Sequence, residues 1–346
     1  MLSVTTFVIA AAIKSVIGLA VLLTAVAYSV WLERKVVGHI QNRWGPTRVG
    51  PFGLLQPLAD GVKFILKEDL TPPYVYKPLY IAAPMIAVIC AVTSISVIPI
   101  GNWVTILGYH TPLEITDVNI GLLIILGITS IGVYGVALAG CSSNSKYSLL
   151  GGLRASAQMV SYEISLGLSL IGVLIMAGTF SLRGIVDSQA GVFWGFIPKW
   201  NIFHGQTVAF FVYLMSAFAE TNRVPFDLPE AETELVAGYH TEYSAMKFAM
   251  FFMAEYANMI TVSCLATLLF LGGWHGPIFG PAWLQAILPV FWFLTKVFCF
   301  LFLYIWVRGT LPRFRYDQLM AFAWKFLFPL AVANLVVTAL IVALRA

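Results

Sequence analysis

The stretch GLLIILGITSIGVYGVALAG, residues 121–140, contains no charged side chain, and it is one of several long apolar runs in this chain. A run of about 20 apolar residues is the length that crosses the hydrocarbon core of a bilayer as a helix. Hydropathy predicts eight such spans, at 7–31, 79–99, 119–139, 155–178, 205–220, 247–271, 284–307 and 326–344. The window from Pro78 to Pro112 is too long for one span, and Gly101-Asn102-Trp103 marks its exit. GGWHGPIFGPAW, Gly272 to Trp283, is a Gly/Pro hinge between the sixth and seventh spans. Charged residues make up 10% of the sequence and hydrophobic ones 60%, whereas soluble domains carry roughly 25% charged residues. No single water-soluble core hides that much apolar surface. The expected class is an all-α polytopic membrane protein of about eight transmembrane helices, forming one transmembrane domain over 1–346. No internal repeat or low-complexity linker divides it.

Lysines and arginines set the expected orientation. Arg34, Lys35, Arg43, Arg48, Lys63, Lys67 and Lys77 lie between spans one and two, and Lys146 and Arg154 flank the loop after span three. Arg223 and Lys247 follow span five, and Arg308, Arg313, Arg315 and Lys325 precede the last span. With eight spans these all fall on one side, while the loops at 100–118 and 272–283 on the other side carry none. The positive-inside rule makes the basic side cytoplasmic and puts both termini outside. The cytoplasmic segments are then 32–78, 140–154, 221–246 and 308–325. Met1 to Ala12 has no basic start and reads as part of the first span rather than a cleaved leader.

Several functions are disfavoured early. Cys90, Cys141, Cys264 and Cys299 are widely spaced with no C-x-x-C pair, so this chain offers no cysteine set for an iron–sulfur cluster. No metal site, glycine fingerprint or phosphate loop is legible. The net charge of +4 is dispersed and argues for no nucleic-acid partner. If redox chemistry is served, partner subunits carry the electrons.

Charges within or against the spans carry the chemistry. Glu163 sits in RASAQMVSYEISLGLSL, on nearly the opposite side of the helix from Arg154, Gln158, Ser161, Ser165 and Ser169. A helix polar on two faces is expected to be enclosed by protein. Glu255 interrupts FFMAEYANMI, and Lys296 lies within VFWFLTKVFCFLF. An ionised side chain in mid-membrane costs about 2.5–3.5 kcal/mol even on the lenient insertion scale. Lys296 is the expected intramembrane charge partner of a glutamate, which leaves other carboxylates over. Burial makes the neutral form of a carboxylate accessible, so such groups can bind and release protons.

Two segments outside the spans add to this. In ETNRVPFDLPEAETE, Glu220 to Glu234, five carboxylates and Arg223 follow the uncharged run FFVYLMSAFA. Pro225 and Pro229 break any helix there, and the acids Glu220, Glu230, Glu232, Glu234 and Glu242 read as a proton uptake route toward Glu163 and Glu255. In GPTRVGPFGLLQPLADGVKFILKED the glycines and prolines force turns. A short helix is then predicted from Pro57, with Asp60, Lys63 and Lys67 on one face and Leu58, Val62, Ile65 and Leu66 on another. Such a cytoplasmic amphipathic helix rests at the membrane surface, where lipid anchoring is its plainer role. Glu33-Arg34-Lys35 has a plain role too, as a stop-transfer cluster.

ETNRVPFDLPEAETELVAGYHTEYS, Glu220 to Ser244, resembles a signature of membrane subunit 1 of proton-pumping NADH:quinone oxidoreductase, respiratory complex I. The segment Gly38 to Lys63, with Gln41, Arg43, Gly45-Pro46, Gly50, Gly53 and Gln56-Pro57-x-Ala59-Asp60, resembles the other. SYE at 161–163, MAEY at 253–256 and RGTLPRFRYDQLM from Arg308 to Met320 agree, and the resemblance spans essentially the whole chain. It implies a chamber for a quinone substrate, with Glu33, Arg34, Arg43, Asp60, Lys63 and Phe226 around the chamber and its entrance. It also implies a proton path through Glu163, Glu220, Glu230, Glu232 and Glu255. The implied partners are peripheral iron–sulfur and quinone-site subunits, antiporter-like membrane subunits and membrane lipid, with FMN and iron–sulfur clusters held by partners. The implied location is the bacterial inner (plasma) membrane or the mitochondrial inner membrane. The corresponding membrane subunit of a related membrane-bound hydrogenase, a stand-alone ion transporter and a passive anchor are the competing readings.

Overall fold

A computed structural model describes residues 4–106, 109–193, 197–227 and 236–345. The first helix, α1 (Val4–Ile40), runs past the predicted end of its span by more than two turns. Nothing in LERKVVGHI breaks a helix. The chain turns only at Asn42, whose φ is 57°, and at the Gly/Pro-rich segment beyond it. At 1.5 Å per residue the helix is about 55 Å long, well beyond the roughly 30 Å hydrocarbon core. Its last turns therefore carry Glu33 and Arg34 out at one end.

The amphipathic helix α2 (Gln56–Leu66) forms where the sequence predicts it, with Pro57 in its first turn. The turn before it depends on Gly53, at φ 77°, because a Cβ there would sit 2.2 Å from the Pro46 carbonyl oxygen. No residue of α2 is buried, and Leu58, Ile65 and Leu66 point away from the protein.

The helices α3 (Lys77–Ser94), α4 (Gly121–Ser142), α5 (Lys146–Ala177) and α7 (Thr207–Glu220) each pack on the next, and α8 (Ala245–Phe270) packs mainly on α3 and also meets α1 and α7. Nearly all of α8 from Met259 onward is buried. The short α6 (Leu182–Ser188) links α5 toward α7. Small residues permit the closest approach: a Cβ on Gly140 of α4 would lie 2.9 Å from the Gly152 Cα of α5, the kind of contact that lets membrane helices pack backbone to backbone. α9 (Ala282–Thr310) packs on α8 and α1, and α11 (Phe328–Arg345) on α5 and α7, with α10 (Tyr316–Phe322) and a single π turn, Ala323–Leu327, leading into α11.

Among the described residues, seven helical stretches are long and apolar enough to cross a membrane. The one predicted span not among them, the fifth, is α7, which has 14 residues, about 21 Å of helix, and is shorter than the others because it starts only at Thr207. The predicted start of the fourth span moves back to Lys146, since LLGGLRAS contains no proline and Gly151 and Gly152 are packed against the backbone of Gly238 and Gly140. Two small antiparallel hairpins complete the fold, β1 (Trp103–Ile106) with β2 (Tyr109–Pro112) and β3 (Val192–Phe193) with β4 (Ile197–Pro198).

The connections put both chain ends on the side of the hairpins. There Lys14 Nζ donates to the Pro112 carbonyl at 3.1 Å, and Gln206 Nε2 donates to Thr338 Oγ1 at 3.0 Å. The opposite end gathers α2, residues 221–227 and 236–244, and the α9–α10 turn. α5 is less enclosed than its two polar faces suggest. Val160 and Ile164 remain exposed on either side of Glu163, because α4 shields only the carboxylate itself.

Candidate functional site

The site grows from the overlong end of α1. Successive helical residues point about 100° apart, so Glu33 turns inward while Arg34 turns out to the α2 side. Glu33 is 8% exposed and meets three other elements at once. Arg223, in the turn after α7, places its guanidinium 3.1 Å from Glu33 Oε2 and 2.8 Å from Glu255 Oε1 on α8. Tyr256 donates its hydroxyl to Glu33 Oε2 at 2.8 Å, and its ring lies 4.2 Å below the Arg223 guanidinium. Arg308, at the end of α9, also donates to Glu33. Beside this group Arg313 pairs with Asp227 at 3.0 Å. Burial pushes the Asp227 carboxyl above the usual carboxylate range even though Arg313 opposes that shift.

Three carboxylates thus alternate with three guanidinium groups where α1, α8, α9 and the post-α7 turn meet. Such a cluster is self-neutral. Removing the only partner of any one charge strands that charge in a low-dielectric site.

The turn that delivers Arg223 is held from α5. Gln158, fully buried, donates to the carbonyls of Ala219 (2.9 Å) and Phe226 (2.8 Å). Asn222 occupies the left-handed region, at φ 48°, which asparagine tolerates better than most residues. Gln158 is a residue that sequence reasoning noticed only as part of a polar stripe. Its role as the clamp on ETNR had no local signal.

From Glu255 a cavity of about 40 Å³ opens toward Glu220, lined also by Thr221, Asn222, Tyr239 and Asn258. That volume has room for a few water molecules, each needing about 10–15 Å³, and the walls are polar enough to hydrogen-bond them. Gly132 of α4 also lines this cavity, two residues from Ser130. Glu163 accepts a hydrogen bond from Ser130 of α4. Glu33, Glu255, Glu220 and Glu163 therefore lie in order from the end of α1 into the bundle.

Arg34 and Asp60 form an ion pair at 2.6 Å that fastens α1 to α2, and Gln56 and Lys63 also reach Asp60, at 2.9 and 3.5 Å. Arg43 lies apart, donating to Gln41 at 2.8 Å in an exposed loop. Phe226 is 2% exposed and packs between Tyr162 and Phe314, with ring centroids 5.6 Å from each. It is a core residue of this chain rather than the wall of an open space. Glu230, Glu232 and Glu234 lie outside the described residues. The Glu242 carboxylate accepts from Tyr74 at 2.8 Å.

The expected pairing of Lys296 with a glutamate is corrected. Its ammonium donates to the carbonyls of Leu271 (2.7 Å), Gly273 (2.9 Å) and His275 (2.7 Å) and faces Trp200 at 4.3 Å. These carbonyls belong to the turn just beyond α8, and together they satisfy the cation without a carboxylate. Among the described residues, no group of three or more His, Cys, Asp or Glu is placed to hold a metal ion.

The chain is similar to known proteins over nearly its whole length. A protein of Koribacter versatilis (strain Ellin345), the second of its H-type NADH-quinone oxidoreductase subunits, is 70% identical and matched over 99% of both chains. The first H-type NADH-quinone oxidoreductase subunit of Solibacter usitatus (strain Ellin6076) is 52% identical over 97% of this chain and 98% of its own. An H-type subunit from Geobacter metallireducens is 50% identical over 98% and 97%. The family model described as NADH dehydrogenase matches residues 13–339, and the chain belongs to that family.

Proposed function

We propose that this chain is the H-type membrane subunit of a proton-translocating NADH:quinone oxidoreductase, binding the quinone and linking its reduction to proton movement. The observation that carries the reading is Arg223, which ties Glu33, next to the Arg34–Asp60 pair, to Glu255 and the cavity beyond it. One short stretch of α1 thus serves both an entrance at α2 and a line of buried acids.

The quinone tail would pass the apolar side chains between α1 and α2, with Arg34, Arg43, Asp60 and Lys63 ordering the rim. Quinone reduction consumes two electrons, delivered from a partner's iron–sulfur centre, and two protons to give the quinol. The change of charge at the head group is felt by the alternating carboxylates and guanidinium groups, which redistribute protons between Asp227 and Glu255. From there Glu220 and Glu163 pass them toward antiporter-like partner subunits, and Glu230 and Glu232 belong to the same path. A relay needs groups whose two protonation states are close in free energy, which clustered, desolvated carboxylates supply. The basic residues at the α2 end make that end cytoplasmic and leave both termini on the periplasmic or intermembrane side.

The test is proton uptake per NADH in reconstituted vesicles, with assembly checked on a native gel. Glutamine keeps the shape of a glutamate and removes its titration, whereas aspartate keeps the titration. A Glu163→Gln, Glu220→Gln double variant is expected to lose pumping and quinone reduction together, and the aspartate versions to retain part of both. Normal pumping in an assembled double glutamine variant overturns the relay. Copurification of hydrogenase partners in place of NADH-oxidising ones overturns the quinone assignment.

A further inference from the structure

Two segments that the proposed function uses separately are physically joined. Residues 67–80 follow α2, and residues 236–247 follow the predicted acids and lead into α8. Tyr80 and Tyr243 stack with centroids 4.2 Å apart and planes within 6°. Each hydroxyl is spent on the opposite segment: Tyr80 donates to the Glu242 carbonyl at 2.7 Å, and Tyr243 to the Tyr80 carbonyl at 3.1 Å. Tyr80 is fully buried and Tyr243 nearly so.

Around this stack the two strands of chain are laced together. Ser244 Oγ accepts from the Leu70 amide (3.0 Å) and donates to the Leu70 carbonyl (3.2 Å). Lys247 binds Thr71 (2.7 Å) and Asp69 (3.0 Å) and lies over the Tyr80 ring. Tyr74 reaches the Glu242 carboxylate at the surface. Phe64 of α2 and Phe248 of α8 meet at 6.4 Å.

Resting on the quinone reading above, we propose that Tyr80 and Tyr243 are positioning residues for the reaction. They form a rivet that makes α2, at the quinone entrance, and the segment leading from the acids into α8 move as one body. Neither ring touches the Glu33–Arg223–Glu255 cluster. They act by fixing how far one segment shifts when the other does. A lid over an entrance that can rock independently of the acids does not report quinone arrival to them, whereas a riveted one does.

Amide hydrogen exchange in the assembled complex tests this, with and without a short-tail ubiquinone, reading residues 56–70 and 236–247 separately. In the parent complex, quinone is expected to slow exchange in both segments. Tyr80→Phe with Tyr243→Phe keeps the stack and removes both hydroxyls. One hydrogen bond of this kind changes a local opening equilibrium about two- to twelvefold, so exchange of both segments without quinone should rise by that factor per hydroxyl. The decisive outcome is the quinone response. In the double variant protection should appear at 56–70 alone, with kcat falling and the quinone KM little changed. A simple structural role instead raises exchange everywhere and leaves the two responses linked, which overturns the rivet. Should the double variant fail to assemble, Tyr74→Phe removes only the exposed Glu242 bond and is expected to weaken the link in the same direction; an undiminished link there also overturns it. No quinone response at 56–70 in the parent complex defeats the quinone reading itself, and this inference with it.

Discussion

Replacing Arg223 with methionine tests the electrostatic logic of the site, because the structure says which acid is left stranded. The guanidinium is 5% exposed and holds Glu33 at 3.1 Å and Glu255 at 2.8 Å. Glu33 has two other partners, Arg308 and Tyr256. Among the described residues Glu255 has no second ion-pair partner. Methionine fills much of the same volume, so packing loss is small and the charge effect dominates. Stranding one buried charge costs about 3–5 kcal/mol.

The expected result for Arg223→Met is poor assembly and faster thermal inactivation. Adding Glu255→Gln removes the stranded charge and should restore most of the loss. Adding Glu33→Gln should not, because it deletes a charge that Arg308 still balances. Native-gel abundance and inactivation half-life of the solubilised complex read both. Quinone reductase activity stays low in every case, so stability is the readout. Equal rescue by the two glutamine changes, or a costless Arg223→Met, refutes the assignment of partners.

Asp60→Ala removes an ion pair whose arginine is half exposed, so its effect on stability should stay below about 1 kcal/mol. If the pair shapes the entrance, quinone KM and inhibitor sensitivity change while NADH oxidation by an artificial acceptor is kept. Lys296→Met orphans three carbonyls at the end of α8 and should cost about 3 kcal/mol or more. Arginine should rescue it poorly, since a planar guanidinium does not fit a cage built around one ammonium nitrogen; full rescue by arginine contradicts the cage. His240 is buried among Tyr239, Phe248 and Phe252, and burial lowers its imidazole to about 4 from 6.5. The unfolded chain therefore binds a proton that the folded chain refuses. Stability should fall as pH drops from 6.5 toward 4, by roughly 3 kcal/mol at most. His240→Phe should flatten that slope in thermal scans.

Much of this protein is written in local pattern. The spans are legible because apolar length alone sets what can cross a bilayer, and α2 is legible because its turn residues and two faces lie within one short stretch. The acids and arginines that build the site are also visible, as charges where charge is costly. Helix ends are less so: α1 continues to Ile40 and α5 begins at Lys146, since no proline interrupts the intervening residues, and hydropathy reports only where the membrane stops. Partnership is decided by the fold. Glu33 and Arg223 are 190 positions apart, and no periodicity relates them. Lys296 finds carbonyls rather than a carboxylate because α8 happens to end beside it. Glu242 meets Tyr74 because its segment is stapled to the chain after α2. Hydrophobic length acts residue by residue along the chain, whereas a buried charge is satisfied by whatever group the packing brings within about 3 Å, and only the assembled tertiary structure settles which group that is.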